Sequence, residues 1–386
     1  MTRSTLPFAA APLAMLAAAT PASAVDETFE TEGPAIRVTT VADGLDHPWG
    51  LAFLPDGSML VTERSGALRH VAADGAVSEP LSGVPEVDAR DQGGLLDITL
   101  DPGFAESRLV YLSYAEKGDG GNGTAVARGR LAEDGSGLES VEVVFRQQPK
   151  EDSTKHFGSR IVFDGEGHVF VGLGERSDEA FRGQAQELDS HLGKVVRINP
   201  DGSVPEDNPF VGREGALPEI WSYGHRNIQA AAINPATGVL WEIEHGPKGG
   251  DEVNIVQPGA NYGWPVVSLG VNYDGTPVGT GEARAEGMVD PIYSWTPVIA
   301  PSGMIFYGGD AFPDWQGDLF VGGLKVTSLV RLELDGDRVT AEERLLEDLG
   351  QRIRDVVEGP DGAIYVVTDE SDGQILRIAP AEGTEG

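Results

Sequence analysis

The sequence lacks cysteine altogether, and it is poor in aromatic and basic residues. Without cysteine, disulfide bonds, thiolate–zinc sites and a cysteine nucleophile are excluded. Lysine and arginine number 28 against 62 aspartates and glutamates, which gives a formal net charge of −34. Because so acidic a surface repels phosphates, we expect neither a nucleic-acid partner nor binding to anionic lipid. A cluster of basic residues in this chain is therefore a local exception that calls for a ligand or a counter-ion.

The N-terminus has the features of a secretory signal. Arg3 precedes an apolar, alanine-rich run from Leu6 to Ala19, and small residues follow up to Ala24. A membrane anchor is the alternative, but the run is short for a span and the small residues favour cleavage. No other stretch is apolar enough to cross a bilayer. We predict a signal peptide at residues 1–24, and a mature chain of residues 25–386 exported to the periplasm or the extracellular medium.

One pattern recurs six times along the chain: a strand, a turn of the Asp-Gly type, and a second strand. The copies begin at Trp49, Leu95, Ser159, Asn227, Ser302 and Ile353. Repeats of about 45 to 75 residues, each a few antiparallel strands, are typical of propeller blades. We predict an all-β fold, a six-bladed β-propeller of four-stranded antiparallel blades. It forms a single catalytic domain with its core at about residues 37–380, and Asp26–Ile36 leads into the first blade.

His156 and Glu175 are candidates for proton transfer. A hairpin turn between Asp164 and Gly167 places Glu175 opposite His156 if no bulge intervenes. A carboxylate beside an imidazole fixes its tautomer and raises its basicity, as a general base for a hydroxyl proton requires. The alternative is an ion pair on a solvated rim.

Four basic residues fall at equivalent edges of the predicted blades. Arg352 and Arg354 are two positions apart on one strand and face the same side, whereas Arg226 and Lys325 belong to other blades. Together they would meet at one mouth of the channel and bind a polyanion with several carboxylates or phosphates. The alternative is that each pairs with one of the many acids.

A glycine-rich, acidic segment suggests a metal site. It runs from His245 to Glu252 and is followed by the segment from Asn261 to Pro265. Glycine-rich turns expose carbonyl oxygens, and calcium binds six to eight hard oxygens of this kind. A plain acidic loop is an equal alternative.

These segments closely resemble the soluble pyrroloquinoline quinone (PQQ)-dependent aldose sugar dehydrogenases of the glucose/sorbosone dehydrogenase family. The resemblance covers nearly the whole mature chain. Its motifs are His156-Phe-Gly-Ser-Arg160, Gly224-His-Arg-Asn227, Glu244-His-Gly-Pro247, Gly250-Asp-Glu252 and Asn261-Tyr-Gly-Trp-Pro265.

The resemblance implies a reaction and the residues that perform it. His156, supported by Glu175, would take the proton from the C1 hydroxyl of an aldose while hydride passes to PQQ, and Arg226 would stabilise the developing charge. The resemblance also implies the residues that would bind the cofactor, namely Gln92, Arg226, Asn227, His245, Tyr273, Lys325, Arg352 and Arg354.

Calcium is the second cofactor that the resemblance implies. The carbonyls of Gly246 and Pro247 would hold a calcium ion at PQQ, and Glu252 with the Tyr262 carbonyl would hold a structural one. The glucose-specific branch of the family has glutamine in place of His245 and longer loops, so this chain is nearer the broader-specificity aldose branch. The electron acceptor would be an external quinone, cytochrome or dye, and the protein a monomer or weak dimer.

Two other classes remain open at this stage. A calcium-dependent lactonase propeller would hydrolyse sugar lactones, with several acidic or asparagine side chains on one central metal and no cluster of basic residues. A non-catalytic propeller would bind a protein or glycan and would need no His156–Glu175 pair.

Overall fold

The structure, a computed structural model, describes residues 24–381. The predicted signal peptide lies outside this range except for its last residue, Ala24. Helical structure in the described range is limited to α1 (Phe104–Ser107) and three 3-10 turns, at Arg182–Gln186, Pro313–Trp315 and Glu347–Leu349. Over the same residues, no helix has the length and hydrophobicity needed to span a membrane.

The rest of the regular structure is β. In chain order the strands are β1 (Asp26–Phe29), β2 (Ile36–Leu45), β3 (Pro48–Phe53), β4 (Met59–Glu63), β5 (Leu68–Val71), β6 (Leu95–Leu100), β7 (Leu109–Gly118), β8 (Gly121–Leu131), β9 (Leu138–Arg146), β10 (Gly158–Phe163), β11 (Val169–Leu173), β12 (Lys194–Ile198), β13 (Ile220–Tyr223), β14 (Ile228–Ile233), β15 (Leu240–Glu244), β16 (Asp251–Ile255), β17 (Tyr293–Trp295), β18 (Pro301–Phe306), β19 (Leu319–Gly323), β20 (Ser328–Asp335), β21 (Arg338–Leu345), β22 (Ile353–Glu358), β23 (Ile364–Thr368) and β24 (Gly373–Pro380).

These strands form six antiparallel sheets, which confirms the predicted six-bladed propeller. Blade one is β3–β5, blade two β6–β9, blade three β10–β13, blade four β14–β17 and blade five β18–β21. Blade six combines β22–β24 with β2 and β1. Four blades have the predicted four strands, blade one has three, and blade six has five. All six predicted hairpins are the innermost pairs of their blades.

Blade six closes the ring with strands from both ends of the chain. In β2, Val38 pairs with Ile378 of β24, and β1 pairs in turn with β2. The segment Asp26–Ile36 is therefore not a leader into blade one, as the sequence predicted, but part of the outer edge of blade six. Pairing of β1 with β2, which itself pairs with β24, gives the backbone groups of Asp26–Phe29 the partners that a free leader would have to find in water.

The first strand of each blade lies on the inside of the ring. β3, β6, β10, β14, β18 and β22 each contact the next of these strands, and β22 contacts β3. Each of the six boundaries between blades holds its own buried apolar cluster. Because every blade buries both sheet faces against its neighbours, no blade could form a core alone.

Candidate active site

His156 and Glu175 are in contact and buried. The imidazole Nδ1 lies 2.7 Å from Glu175 Oε2, and the two residues are 5% and 1% exposed. The backbone N–H of Ser177 also donates to Glu175 Oε2. Since that oxygen is an acceptor for both groups, His156 carries its proton on Nδ1 and presents a lone pair at Nε2.

A β-bulge brings this pair together. Near the turn, β10 and β11 pair one position off the predicted register, which alone would place Arg176 opposite His156. A bulge between Gly158 and Ile161 removes the offset, so that Glu175 faces His156 after all. The predicted contact is confirmed, but the continuous ladder assumed for it was wrong.

The backbone around the pair is tightly constrained. His156 has a φ of 50°, in the left-handed region. A Cβ atom on Gly174 would lie 2.1 Å from the His156 carbonyl oxygen, so only glycine allows this close approach. Strained backbone that the surroundings hold in place is typical of functional sites.

The environment sets the charge state of the pair. Burial lowers the pKa of His156, although the Glu175 carboxylate acts in the opposite direction. Burial alone would raise the pKa of Glu175, but the charge and hydrogen bond of His156 outweigh it and the pKa is lowered. At neutral pH the arrangement is therefore a neutral imidazole supported by a carboxylate, which is the form that accepts a proton.

Two further predicted residues adjoin this pair. Gln92 Oε1 accepts the backbone N–H of His156 at 2.9 Å, and the Glu175 backbone N–H donates to the Arg226 carbonyl at 2.9 Å. The Arg226 guanidinium lies over the Trp264 ring, 5.1 Å from its centroid. The structure thus brings His156, Glu175, Arg226 and Gln92 together.

Arg352 and Arg354 share a counter-ion, Asp369, which was not predicted from the sequence. Arg354 Nη2 and Arg352 Nη2 donate to the same oxygen of Asp369, at 2.6 and 3.0 Å. Burial by itself would raise the pKa of Asp369, but the charges of the arginines lower it far below its ordinary value. Lys325 is exposed beside Leu324 and does not join them. Asp369 lies opposite Arg352 only because a bulge between Ile353 and Asp355 shifts the register; the register near the turn would place Glu370 there.

A cavity of about 370 Å³ opens where the inner strands begin, and all six blades contribute to its wall. Its lining includes Trp49, Arg64, Gln92, Gly158, Asn227, His245, Ala300, Arg352 and Arg354. The Nε of Arg354 is buried and, within residues 24–381, has no hydrogen-bond partner. A cavity of this volume with several arginines fits a small polyanion.

His245 lies in this wall as a neutral donor. Its Nε2 is 2.6 Å from the Pro301 carbonyl, and burial lowers its pKa to about 3. Asn227 is 2% exposed, and its Oδ1 accepts the backbone N–H of Gly158. Both predicted cofactor contacts therefore face the first cavity.

A second cavity, of about 300 Å³, borders Glu175. Glu175, Arg226 and Trp264 line it, together with Tyr273, which is 72% exposed. The Tyr273 hydroxyl accepts a long hydrogen bond of 3.4 Å from Arg226. The predicted contact between Tyr273 and the cofactor stays a prediction, because this residue does not line the first cavity.

The four predicted calcium-binding residues line one small space. Gly246, Pro247, Glu252 and Tyr262 surround a volume of about 20 Å³, enough for a single water-sized species. Carbonyl and carboxylate oxygens are suitable ligands for calcium. The Gly246 carbonyl already accepts Arg226 Nη1 at 2.9 Å, so an ion there would share this oxygen with the guanidinium.

A buried cluster behind this space was also missed. His225, Glu242 and Glu244 bring ligand-type atoms within 4.8 Å of one another. Burial opposes a charge on His225, but the nearby carboxylates raise its pKa to about 9. Burial, reinforced by Glu244, raises the pKa of Glu242 to about 7. Acids on a strand are usually solvated, so no sequence pattern distinguishes this buried cluster.

The fold and the site together define a class: a six-bladed propeller with a carboxylate-supported imidazole next to a cavity lined by arginines. Comparison with known proteins then gives the family. A model of the Glucose / Sorbosone dehydrogenase family matches residues 45–377. The chain belongs to this family, which confirms the resemblance seen in the sequence.

Three relatives illustrate how close the match is. Aldose sugar dehydrogenase YliI of Escherichia coli (strain K12) is 52% identical over 349 residues, covering 89% of this chain and 93% of that protein. The crystal structure of the soluble aldose sugar dehydrogenase from Escherichia coli in the apo-form has a TM-score of 0.87 at 50% identity, covering 90% and 100% of the two chains. The PQQ-bound form of aldose sugar dehydrogenase from Streptomyces coelicolor has a TM-score of 0.73 at 30% identity, covering 93% and 100%.

Proposed function

We propose that this protein is a PQQ- and calcium-dependent dehydrogenase that oxidises the C1 hydroxyl of aldoses to lactones. The observation that carries the proposal is the buried His156–Glu175 pair beside a cavity lined by arginines. A base next to a polyanion site suits an oxidation in which the substrate loses a proton to the protein and a hydride to the cofactor. The relatives named for aldose oxidation, one of them PQQ-bound, support the same assignment.

The cofactor would lie in the first cavity. PQQ carries three carboxylates and would supply the acceptor for the hydride from C1. Arg352 and Arg354 would bind these carboxylates, with Lys325 at the exposed rim. Asp369 already fixes both guanidiniums by hydrogen bonds, so less side-chain entropy is lost when the ligand binds. Asn227, Gln92 and His245 would contact the polar edge of the ring system.

His156 would receive the hydroxyl proton at Nε2. As the C1–H bond breaks and hydride leaves, the O–H proton passes to this nitrogen and the C1–O bond becomes a carbonyl. Glu175 would stabilise the resulting imidazolium through the 2.7 Å contact at Nδ1. Arg226 would stabilise negative charge on the substrate oxygen, since it lines the second cavity next to Glu175.

Calcium would bind at the residues around the 20 Å³ space, which has room for one ion. The carbonyls of Gly246 and Pro247 would hold an ion at the cofactor, and Glu252 with the Tyr262 carbonyl would hold a structural one; only one of the two ions can occupy this space itself. Burial and the charges of Glu244 and Glu242 raise the pKa of Glu252 well above its ordinary value, and a cation would relieve this repulsion. The signal-like N-terminus supports export, where an external quinone, cytochrome or dye would accept the electrons.

Reconstitution of the apoprotein tests the proposal. Protein purified without PQQ and stripped with EDTA should oxidise aldoses with a dye acceptor only when PQQ and Ca²⁺ are both added. NAD should not replace PQQ, and sugar lactones should not be hydrolysed. Equal activity of the stripped protein, or lactone hydrolysis without oxidation, would contradict the proposal.

A further inference from the structure

Blade four contains a buried group of potential metal ligands next to the predicted calcium ligand Glu252, which pairs with Glu244 across β15 and β16. His225, Glu242 and Asn254 are 0% exposed and Glu244 is 4% exposed. Glu242 pairs with Asn254 across β15 and β16, so these side chains and that of Glu244 project from one face of the sheet. His225, from the loop before β14, lies against this face.

The distances fit a four-coordinate site. His225 Nδ1 is 3.3 Å from Glu242 Oε1 and 3.6 Å from Glu244 Oε1. The Asn254 amide nitrogen is 2.8 Å from Glu242 Oε1 and 3.4 Å from Glu244 Oε1. Donors bound at about 2.0–2.2 Å to a tetrahedral metal ion are separated by about 3.3–3.6 Å. The imidazole nitrogen already lies at such separations from both carboxylates, and all three ligand atoms lie within 4.8 Å of one another.

Three atoms of the group are unsatisfied. Over the described range 24–381, His225 Nδ1, Glu242 Oε2 and Asn254 Oδ1 are buried without a hydrogen-bond partner. Such atoms are rare in folded proteins and often mark an ion or water. A half-turn of the Asn254 amide, which exchanges its oxygen and nitrogen, would add a fourth oxygen donor to the group.

The imidazole is held in a metal-binding orientation. Its Nε2 lies 2.8 Å from Ser222 Oγ, which can accept a hydrogen bond from an Nε2–H group. In that tautomer, Nδ1 carries no proton, and its lone pair is directed towards the carboxylates. The Tyr262 ring stacks on the imidazole, with centroids 4.5 Å apart and planes inclined by 22°. This fixed tautomer and ring plane are what a histidine ligand requires.

We propose that His225, Glu242, Glu244 and Asn254 bind one divalent transition-metal ion of the Zn²⁺ type. A nitrogen donor among oxygens favours such an ion over calcium, which takes oxygen ligands. The ion's two positive charges would balance the two buried carboxylates. Glu244 Oε2 also accepts the backbone N–H of Arg226, so the ion would fix the loop that carries Arg226 and Asn227.

Cobalt(II) provides a spectroscopic test on the untagged, full-length protein. The protein is stripped with a chelator, saturated with Ca²⁺ so that oxygen-only sites are filled, and titrated with Co²⁺. We expect one Co²⁺ per chain, with the intense visible bands of four-coordinate cobalt, displaced by Zn²⁺. Absence of these bands in the calcium-saturated protein would overturn the proposal.

Variants locate the ion. Glu242→Gln and His225→Gln should weaken Co²⁺ binding at least tenfold, whereas Glu252→Gln should weaken it clearly less, because Glu252 lies beside the group but is not one of its four ligands. His168→Gln is the control for a histidine elsewhere. Unchanged binding in the first two variants, or equal loss in Glu252→Gln, would refute a separate site. If the variants fold poorly, anomalous scattering from crystals of the zinc-loaded protein decides: a peak bonded to His225 Nδ1 supports the site, and its absence overturns it.

Discussion

Removing the imidazole of His156 should abolish most turnover while leaving cofactor binding intact. His156 contacts Glu175 at 2.7 Å and is 5% exposed, so water cannot easily take over the proton. A positioned base contributes about 10²–10⁴ in rate, which is about 3–5 kcal/mol of activation free energy. His156→Ala should therefore lose about 10²–10⁴ in kcat with little change in the PQQ dissociation constant.

The same hairpin supplies a matched control. His168 pairs with Asp164 at the opposite end of the hairpin, also at 2.7 Å. His168→Ala removes a histidine–carboxylate pair of the same kind far from the cavities, so kcat per folded molecule should stay unchanged. Comparable losses in both variants would show that the effect of His156→Ala is structural.

Replacing Glu175 by glutamine tests how the base is supported. The Ser177 N–H donates to the Glu175 oxygen that faces His156, so in Glu175→Gln it should orient the amide with its oxygen towards the imidazole. The imidazole tautomer should therefore be kept while the negative charge of residue 175 is lost. An anion favours the protonated ring, so the pKa of His156, which controls kcat, should fall when the Glu175 charge is removed. The acid limb of the kcat–pH profile should move to lower pH. The plateau value of kcat should fall less than it does in His156→Ala. The assay is dye-linked aldose oxidation at saturating PQQ and Ca²⁺ across pH. An unshifted profile would refute the role of Glu175, and near-normal kcat in His156→Ala would remove His156 from the mechanism.

Two further predictions concern the arginines. Arg354→Ala and Arg352→Ala should each weaken PQQ binding about ten- to a hundredfold in equilibrium titrations, because each loses a hydrogen bond to a charged group worth about 1.5–3 kcal/mol. Arg338→Ala, at the exposed start of β21, should not weaken it. Unaltered titrations in both cavity variants would contradict the assignment. Asp369→Asn should lower the free energy of unfolding in urea by about 3 kcal/mol at pH 7, because it leaves buried Arg354 without its counter-ion. Since folding lowers the pKa of Asp369, its contribution to the free energy of unfolding is full above about pH 4 and is lost as the pH falls further. If the wild type remained more stable than the variant by the same amount at acid pH, this explanation would be refuted.

The fold was largely predictable because local patterns determine it. Alternating apolar residues and turn formers placed the inner hairpin of every blade. What the sequence did not reveal is how the ring closes, since the pairing of Val38 with Ile378 joins opposite ends of the chain. No local sequence pattern distinguishes an edge strand of blade six from a segment that merely leads into blade one.

The candidate site was predicted in part, for similar reasons. His156 and Glu175 follow from hairpin geometry, yet their contact needs a bulge that the sequence does not announce. Asp369 went unnoticed because an acid after a strand looks like a solvated turn. The buried acids around His225 were missed because alternation along β15 and β16 does not say which face is covered.

A single anaerobic turnover shows whether the sugar is oxidised by bound PQQ with His156 as the base. Protein reconstituted with PQQ and Ca²⁺ is mixed with an aldose in the absence of any acceptor, and the lactone is quantified together with the cofactor absorption. We expect one lactone per bound PQQ, a primary isotope effect when C1 carries deuterium, and a much slower reaction in His156→Ala. No lactone, or lactone formed without any change in the bound cofactor, would contradict it.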